Sequence, residues 1–433
     1  MKFFSTNGQT PLTDWREVLF RGLAPDRGLF MPETIPSLPK EFLENLASYS
    51  LPEIGYTIAR AFLSEEEISD TKLKTLVSET LDFEIPLVQL DENTYTLELF
   101  HGPTLAFKDV GARFMARLMS HFRTEKQDEL VVLAATSGDT GSAVASGFYQ
   151  VEGIRVILLF PKGKVSKIQE QQLTTWGGNI TALEVEGTFD DCQKFVKTAF
   201  QDEELRARLT LTSANSINFG RLLPQSFYYF HALAQLPESE RRKVVFSVPS
   251  GNFGHLTAGL LAERMGLPIS YFIAATNSNN VVPEYLETGK FSPRPSVPTI
   301  SNAMDVGNPS NFARMESLFD GDPKAMQTRM RGFWLDDEAT SQELHKIYTQ
   351  NQYTADPHGA IGYAALKKFL DPENEVGIFL ETAHPAKFKD VVDEAIPQPV
   401  QMPERLARVM KREQNSIPLP AEWDAVKGFL MEF

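Results

Sequence analysis

Five short apolar runs, each bounded by glycine, proline or serine, constrain the fold of this chain more than any other feature. Their residues are mostly apolar without alternation, and each run has about the length of one strand. Parallel strands that are covered on both faces have this pattern, because neither face meets water. The predicted strands are Leu130–Ala135, Val156–Phe160, Val244–Val248, Tyr271–Ala275 and Val376–Leu380.

Helical patterns lie between these runs. From Val110 to Phe122, aromatic and leucine side chains recur every four residues and form one apolar helix face. A second predicted helix, His255–Met265, ends before a glycine and a nearby proline. Strands that alternate with helices predict an α/β architecture with parallel sheets and right-handed crossovers. Because 433 residues exceed what one core usually holds, two or more domains are expected.

The two ends of the chain differ from this middle region. Residues 1–80 mix turn signals with acidic segments of helical type, such as Ser64–Asp70, so we expect an N-terminal subdomain. The stretch Ser292–Pro298 carries three prolines and is expected to be a surface loop. From Gln398 onward, a loop and a helix are expected to wrap the body.

Charge and composition narrow the functional classes. The chain has 42 Lys and Arg against 57 Asp and Glu, a net charge of −15, which argues against nucleic-acid or anionic-membrane binding. No apolar stretch approaches the ~20 residues of a membrane-spanning helix. With no apolar signal region at the start, a cytoplasmic location is expected. The single cysteine, Cys192, excludes an intrachain disulfide, and its acidic neighbours would raise its thiol pKa and disfavour a nucleophilic role.

Two loops at strand ends carry residue types that suit an anion. Thr136–Gly141 opens a helix near Ser142, and Ser250–Gly254 opens the helix from His255. Backbone N–H groups converge at such junctions, and glycines let a ligand approach the backbone closely. Taken alone, each loop is also an ordinary capped turn, and Ser250–Gly254 contains neither a Walker sequence nor a dinucleotide fingerprint. Two such loops together favour a site at the carboxyl edge of the sheet.

Thr382 and Lys108 are the other candidates. Thr382 follows the last predicted strand, where its hydroxyl can point at a ligand or simply be satisfied within a loop. Lys108 lies between a short apolar run and the helix from Val110. Burial and a helix N-terminus would lower the Lys108 pKa and leave the neutral amine that imine formation needs. The alternative is a surface lysine paired with Asp109, which is the commoner situation for a lysine.

In this order along the chain, the motifs resemble the fold-type II pyridoxal-phosphate (PLP) enzymes of the tryptophan synthase β-like family. Within that group they are similar to the threonine synthase family, and the resemblance covers essentially the whole chain. The segments that carry it are Gly22–Pro32, Phe107–Asp109, Thr136–Gly141, Asn215–Arg221, Ser250–Gly254, Ser301–Gly307 and Thr382–Phe388.

The resemblance implies an α/β fold of type II, with two parallel-sheet α/β domains and an N-terminal subdomain. The subdomain would span residues 1–80, and a two-lobed PLP-binding catalytic region would span 81–390. Within that region the small lobe would cover roughly 125–215 and the large lobe the remainder. Residues 391–433 would be a C-terminal segment that packs on the large lobe. The assembly would be a monomer or a homodimer.

The resemblance also implies a set of site residues and no metal. Lys108 would be the catalytic residue and would carry PLP as a Schiff base. The cofactor phosphate would lie on the N–H groups of Gly251, Asn252, Phe253 and Gly254, and Thr382 would meet the pyridine nitrogen. The substrate carboxylate would lie on Thr136, Ser137, Gly138, Asp139 and Thr140, and the substrate phosphate near Ser216, Asn218 and Arg221.

The implied reaction converts O-phospho-L-homoserine and water to L-threonine and phosphate by γ-elimination and β-replacement, with Lys108 as the base. Alternatives are another PLP lyase, such as a threonine dehydratase or a phospho-hydroxyamino-acid lyase, and a catalytically silent PLP-binding relative. The segments Asn215–Arg221 and Ser301–Gly307 argue against a plain dehydratase, because they resemble a phosphohomoserine site.

The sequence departs from the common family pattern at two positions. Arg27 replaces a glycine of the N-terminal signature, which should affect one turn. Asp139 stands where many relatives have asparagine, as in the longer branch of threonine synthases. A carboxylate cannot donate a hydrogen bond as an amide does, so the contact that Asp139 makes stays open.

Overall fold

The computed structural model describes residues 1–123, 129–136, 138–241 and 243–432. Ser137, one of the predicted substrate residues, lies outside the described residues.

The strands of the described residues form three sheets. They are β1 (Phe3–Ser5), β2 (Phe30–Pro32), β3 (Leu87–Asp91), β4 (Thr94–Glu98), β5 (Leu130–Ala135), β6 (Ile154–Pro161), β7 (Ile180–Glu186), β8 (Thr210–Thr212), β9 (Val244–Pro249), β10 (Ile269–Thr276), β11 (Met330–Trp334), β12 (Val376–Glu381) and β13 (Ser416–Pro420). The large sheet has the order β11-β10-β9-β12-β4-β3, the small sheet β13-β7-β6-β5-β8, and β1 pairs with β2.

The α-helices cover the faces of these sheets and fill the ends of the chain. They are α1 (Trp15–Arg21), α2 (Lys40–Glu44), α3 (Leu51–Phe62), α4 (Asp70–Thr80), α5 (Lys108–Phe122), α6 (Asp139–Phe148), α7 (Lys167–Thr174), α8 (Phe189–Ala199), α9 (Glu203–Arg208), α10 (Phe219–Leu222), α11 (Phe227–Gln235), α12 (Gly254–Arg264), α13 (Val281–Thr288), α14 (Phe312–Leu318), α15 (Pro323–Arg329), α16 (Asp337–Asn351), α17 (Pro357–Phe369), α18 (Lys389–Ala395), α19 (Glu404–Val409) and α20 (Trp423–Met431).

All five predicted strands are confirmed, and they lie in the middle of the two main sheets. Every residue of β5, β9 and β12 is buried, as expected for parallel strands covered on both faces. The pairings β9–β10, β9–β12 and β5–β6 are parallel. The exception in the large sheet is the edge strand β3, which runs antiparallel to β4. Since parallel strands end at one edge, the predicted loops meet there.

Two helices begin earlier than predicted, and both differences bear on the site. Helix α5 begins at Lys108 rather than Val110, because Phe107 already has helical backbone angles. Helix α6 begins at Asp139 rather than near Ser142, directly after Gly138 at φ 143°. Lys108 and Asp139 therefore both lie in the first turn of a helix. The other predicted helix is confirmed within one residue at each end, as α12.

The predicted helical segment Ser64–Asp70 is wrong in detail. Residues 64–69 form a turn, in which the Ser64 N–H donates to the Glu67 carboxylate at 2.8 Å. Helix α4 begins only at Asp70, after Ser69 at its N-cap. The acidic residues lie between two helices because the serines favour caps over a continuous helix. By contrast, Ser292–Pro298 is an exposed segment without secondary structure, as predicted.

The Arg27 departure falls in a tight turn, as predicted. Arg27 adopts φ 69°, a left-handed conformation that glycine adopts without strain. Its N–H donates to the Ala24 oxygen at 2.8 Å, and the Ala24 N–H donates to the Gly28 oxygen at 3.0 Å, which closes the turn.

The C-terminal segment packs on both lobes. Ile396, Val400 and Leu406 are buried with Leu105 and Ala383 of the large lobe, as expected, whereas the last residues pack on the small lobe. Strand β13 pairs in parallel with β7 at the edge of the small sheet. Val426 and Leu430 of α20 are buried in the small-lobe core with Cys192. The sequence did not predict this strand because it contains Pro418 and Pro420, and proline is tolerated in strands only at a sheet edge or an end. Pairing there also covers the otherwise open edge of β7.

Among the residues that the structure describes, no helix is long and apolar enough to cross a membrane.

Candidate active site

Lys108 lies at the carboxyl edge of the large sheet, where β4 leads through residues 99–107 into α5. Its side chain is 14% exposed, and its Nζ lies 3.7 Å from Asp139 Oδ2. Burial lowers the pKa of Lys108 below its usual range; Asp139 opposes the shift, while the charges of Lys387 and Arg221 add to it. The predicted bias toward a neutral amine is therefore present.

Asp109, the alternative partner of Lys108, is hydrogen-bonded to Thr104 instead. Its carboxylate accepts hydrogen bonds from the Thr104 N–H at 2.8 Å and the Thr104 hydroxyl at 2.6 Å. Burial raises the pKa of Asp109, although these bonds and nearby cations oppose the rise. Asp109 thus fixes the loop in front of Lys108 and does not pair with it.

The predicted phosphate loop joins β9 to α12. Helix α12 begins at Gly254, and Phe253 before it has φ 58°, so this backbone turns sharply at the helix N-terminus. A Cβ atom on Gly251 would lie 2.7 Å from the Met304 Cα and 2.9 Å from the Ala303 oxygen. The loop therefore has no room for a side chain at Gly251. A helix N-terminus with a close backbone approach suits the phosphate of a cofactor.

The Asn252 side chain holds this loop from the outside. Its amide nitrogen donates to the Ser216 hydroxyl at 2.6 Å, and its amide oxygen accepts from the Ser310 N–H at 2.6 Å. The predicted contact of Asn252 with the cofactor is therefore left to its backbone N–H.

We expect Gly251→Ala to weaken PLP binding by about tenfold or more, because a shift of the loop would misplace several N–H donors worth about 1 kcal/mol each. The PLP dissociation constant of the apo protein measures this. Gly428→Ala is the matched control, since a Cβ there meets nothing within 4 Å. Equal PLP affinity of Gly251→Ala and wild type would contradict the assignment of the loop.

His255, the next residue of α12, stacks on Phe107 beside Lys108. The ring centroids lie 4.4 Å apart with an interplanar angle of 9°. Neither ring nitrogen has a hydrogen-bond partner among the described residues. Burial, with a smaller effect from Lys108, lowers the pKa of His255 to about 3. The ring is therefore neutral and packs face to face on Phe107.

This shift predicts a pH dependence of the stability of the apo protein. The folded pKa of His255 lies below its unfolded value of 6.5, so its contribution is fully present above pH 6.5 and is lost as pH falls toward 3. His255→Phe should remove that loss and gain up to about 2 kcal/mol over wild type at pH 5, relative to the difference at pH 7.5. Urea unfolding at both pH values measures it, with the exposed His345→Gln as control. Parallel pH profiles for wild type and His255→Phe would refute the prediction.

Thr382 lies at the end of β12 and is attached directly to the lysine loop. Its carbonyl accepts from the Phe107 N–H at 2.9 Å, and the next residue, Ala383, forms an antiparallel bridge with Ala106. The Thr382 side chain is only slightly exposed. The structure thus brings the third predicted strand end to the residues just before Lys108.

A series of buried hydrogen bonds, which the sequence did not predict, supports the backbone next to Thr382. The Asp356 carboxylate accepts from the Ala383 N–H at 3.0 Å and lies 2.6 Å from His358 Nδ1. The other ring nitrogen, Nε2, accepts from the Ala303 N–H at 3.2 Å. This assigns the neutral Nδ1–H tautomer to His358. These hydrogen bonds connect the end of β12 with the segment against which Gly251 packs.

The predicted carboxylate loop is closed by its own first residue. The Thr136 hydroxyl oxygen accepts from the Gly138 N–H at 3.1 Å and from the Gly141 N–H at 2.8 Å. Asp139 is buried, and Thr140 is partly exposed in the first turn of α6. Ser137 lies outside the described residues.

The three residues predicted near the substrate phosphate differ in their exposure and in their hydrogen-bond partners. Ser216 is partly exposed and contacts the phosphate loop through Asn252. The Asn218 side chain is fully buried, donating to the Leu19 oxygen at 2.8 Å and accepting from the Gly220 N–H at 2.9 Å. Asn218 therefore caps α10 and holds α1, and its contact with substrate stays a prediction.

Arg221 is the buried cation of this set. One guanidinium nitrogen donates to the Ala214 oxygen, whereas Nε has no partner within the described part of the chain. Burial lowers the pKa of Arg221 to about 10, partly opposed by Asp109. A buried guanidinium with a free N–H favours an anionic ligand.

Arg314 is a further buried residue that the sequence motifs did not reveal. Its guanidinium donates to the backbone oxygens of Phe30, Ser216 and Ile217 and to the Asn311 side chain, at 2.6–3.2 Å. Arg314 therefore joins the N-terminal subdomain to the segment that carries Ser216.

These features fit PLP better than a metal. The site offers a lysine of lowered pKa, a helix N-terminus with a cradle that a Cβ would fill, and a hydroxyl residue at a third strand end. Across the described ranges, no group of three or more His, Cys, Asp or Glu side chains could hold a metal ion. Cys192 lies apart in the small-lobe core, where burial and Asp191 raise its pKa to about 12.

Three family models match successive parts of the chain. The model described as threonine synthase N terminus matches residues 2–81, and that described as pyridoxal-phosphate dependent enzyme matches residues 83–380. The model described as threonine synthase, C-terminal, matches residues 359–430. Together they span nearly the whole sequence.

Individual proteins agree with these matches. Threonine synthase from Haemophilus influenzae is 46% identical over 92% of this chain and 91% of its own. The crystal structure of threonine synthase from Escherichia coli superposes with a TM-score of 0.93 at 42% identity, covering all of both chains. PLP-bound threonine synthase from Brucella melitensis has a TM-score of 0.93 at 35% identity, over 100% of this chain and 99% of its own.

Proposed function

The chain belongs to the threonine synthase family of PLP-dependent lyases, and we propose that its site converts O-phospho-L-homoserine and water to L-threonine and phosphate. One observation carries the assignment of the site. Lys108, a buried lysine of lowered pKa, lies where three strand-end loops meet, and the buried Arg221 has an Nε–H without a partner among the described residues. The fold itself, two sheet-based lobes and an N-terminal subdomain, is that of fold-type II PLP enzymes.

PLP is the cofactor, and when bound it draws electron density away from the Cα atom of an amino-acid substrate. The backbone N–H groups of Gly251, Asn252, Phe253 and Gly254 would hold its phosphate at the N-terminus of α12. Thr382 would place a hydroxyl at the pyridine nitrogen. The stacked rings of Phe107 and His255 lie beside Lys108.

Lys108 is the proposed catalytic residue. Its neutral amine would be the nucleophile that links the cofactor, and the same amine would take the Cα proton of the substrate. Desolvation favours the unprotonated amine, because burial disfavours the ammonium form and lowers the pKa of Lys108. The same amine can return the proton to Cα when the product forms.

The net reaction breaks the Cγ–O bond of the substrate, so phosphate leaves with all four of its oxygens. A proton leaves Cβ, a proton is added at Cγ, and water then supplies the hydroxyl on Cβ. Arg221 and Ser216 are proposed to hold the departing phosphate, and residues 136–140 the substrate carboxylate. The Nε–H of Arg221, which has no partner within the described ranges, is the donor proposed for a charge-assisted hydrogen bond to the leaving group.

Arg221→Lys is expected to raise KM for O-phospho-L-homoserine by about tenfold or more, because a lysine cannot supply the guanidinium's several fixed donors. Steady-state kinetics and competition by inorganic phosphate measure the effect. The exposed Arg208→Lys is the matched control. An unchanged KM and an unchanged phosphate inhibition constant would remove Arg221 from the phosphate site.

A comparison of two substrates tests the function. The PLP-loaded protein should release equal amounts of threonine and phosphate from O-phospho-L-homoserine and leave L-threonine almost untouched. Fast formation of 2-oxobutanoate and ammonia from L-threonine, without synthesis of threonine, would assign a dehydratase instead. Absence of both reactions would indicate a silent PLP-binding relative.

We also propose a cytoplasmic enzyme that works as a monomer or homodimer. The lone buried cysteine supports a reducing compartment, and the net charge of −15 supports a small-molecule substrate rather than nucleic acid. The proposed division keeps residues 1–80 as the subdomain and roughly 125–215 as the small lobe. Light scattering on the purified protein determines the assembly.

A further inference from the structure

We propose that Lys387 is a positioning residue of this site, which holds the Asp139 carboxylate in place and balances its charge beside Lys108. The proposal rests on the assignment of Lys108 as the PLP lysine. It gives a role to a residue of the segment after β12 that is not among the predicted site residues.

Lys387 is a fully buried lysine, which is rare unless the ammonium is paired. Its Nζ lies 2.6 Å from Asp139 Oδ1 and donates to the Thr104 oxygen at 3.0 Å. The short 3₁₀ turn Pro385–Phe388 delivers it there directly after β12, and His384 caps this turn by accepting from the Ala386 N–H. The ammonium therefore enters the site from the same strand end as Thr382.

The two oxygens of Asp139 have different partners. Oδ1 accepts from Lys387 and also from the Gln169 amide at 3.1 Å, whereas Oδ2 points toward Lys108 at 3.7 Å. Burial alone would raise the pKa of Asp139, but the charges of Lys387 and Lys108 and these hydrogen bonds hold it below its usual range. Asp139 is thus a carboxylate with one oxygen anchored and the other presented to the PLP lysine.

This arrangement accounts for the departure from asparagine at position 139. A neutral amide beside the cofactor needs no counter-charge, whereas a buried carboxylate needs a cation. Together Asp139 and Lys387 form a neutral unit. Without Lys387, the Asp139 carboxylate would be left to pair with Lys108 and would favour its ammonium form, which cannot form an imine.

Lys387 also connects the two lobes around Lys108. The Thr104 oxygen that it binds also accepts from the Gln172 amide at 3.2 Å, and Thr104 in turn holds Asp109. Asp139 and Gln172 belong to the small lobe, and Thr104 belongs to the loop before α5. The ammonium therefore lies where small-lobe helices meet the lysine loop.

A charge-rescue experiment tests the proposal. The variants are Lys387→Met, Asp139→Asn and the double variant, with Lys389→Met as matched control, since Lys389 pairs with Asp393 near the surface. The readouts are the PLP dissociation constant of the apo protein and its unfolding midpoint. We expect Lys387→Met to weaken PLP binding by about tenfold or more, and the double variant to recover most of that loss because both charges are gone.

A purely structural role for Lys387 gives the opposite pattern. If the double variant binds PLP no better than Lys387→Met, or if Lys387→Met matches Lys389→Met, the proposal is overturned. Should Lys387→Met fail to fold, a double variant that folds supports the coupling, and a double variant that also fails contradicts it. Borohydride trapping of PLP in the wild type, followed by peptide mapping, tests Lys108 separately, so the two proposals can fail independently.

Discussion

Lys108→Ala is expected to lower kcat for threonine formation by about 10³-fold or more, because one side chain serves as nucleophile toward the cofactor and as base at Cα. The variant should still bind PLP non-covalently through the loop at Gly251–Gly254. Assays of threonine release measure the first effect, and mass spectrometry after borohydride reduction measures the loss of covalent cofactor. Lys72→Ala, at an exposed position of α4, is the matched control.

Two results would contradict the role assigned to Lys108. If Lys108→Ala retained activity within about tenfold of wild type, another base would be required, since general-base catalysis is typically worth 10²-fold or more. If the trapped cofactor mapped to another lysine, Lys387 would be the first candidate, because it is the other lysine beside Asp139.

Arg314→Leu is expected to destabilise the apo protein by about 3 kcal/mol or more. Loss of the guanidinium leaves three backbone oxygens and the Asn311 side chain without this donor, at about 1–3 kcal/mol for each buried unsatisfied group. Relief of the buried charge offsets part of that cost, since burial already lowers the Arg314 pKa to about 9. Urea unfolding measures the effect.

The same variant reports on the site. Since Arg314 holds the Ser216 and Ile217 carbonyls, its loss should also raise KM for the phosphorylated substrate in the remaining folded protein. Arg314→Lys keeps the charge with fewer fixed donors and should be intermediate. An unfolding midpoint equal to that of wild type would show that the N-terminal subdomain does not depend on this clamp.

The sequence predicted the central strands and the loops after them well, for a physical reason. Strands buried on both faces must be apolar throughout, and Gly, Ser and Thr at their carboxyl ends are needed for tight junctions with helices. Lys108 could be selected because it lies between such a strand end and an amphipathic helix. Its actual neighbour, Asp139, is distant in sequence, and the two residues meet only because the fold brings the two lobes together.

Other features depend on tertiary contacts that no local pattern records. The edge strand β13 contains two prolines, so its own residues argue against a strand until β7 provides the free edge. Lys387 lies two residues after a proline and resembles a surface lysine in sequence, yet it is fully buried because Asp139 pairs with it. Arg314 likewise lies in an ordinary amphipathic helix, and only the surrounding carbonyls explain its burial.

The most direct test of the central claim is the reaction of O-phospho-L-homoserine in ¹⁸O-labelled water. Cleavage of the Cγ–O bond followed by addition of water at Cβ predicts equal amounts of threonine and phosphate, with one labelled oxygen in the threonine hydroxyl and none in the phosphate. Labelled phosphate together with homoserine would mean cleavage of the P–O bond by simple hydrolysis, and would contradict the account.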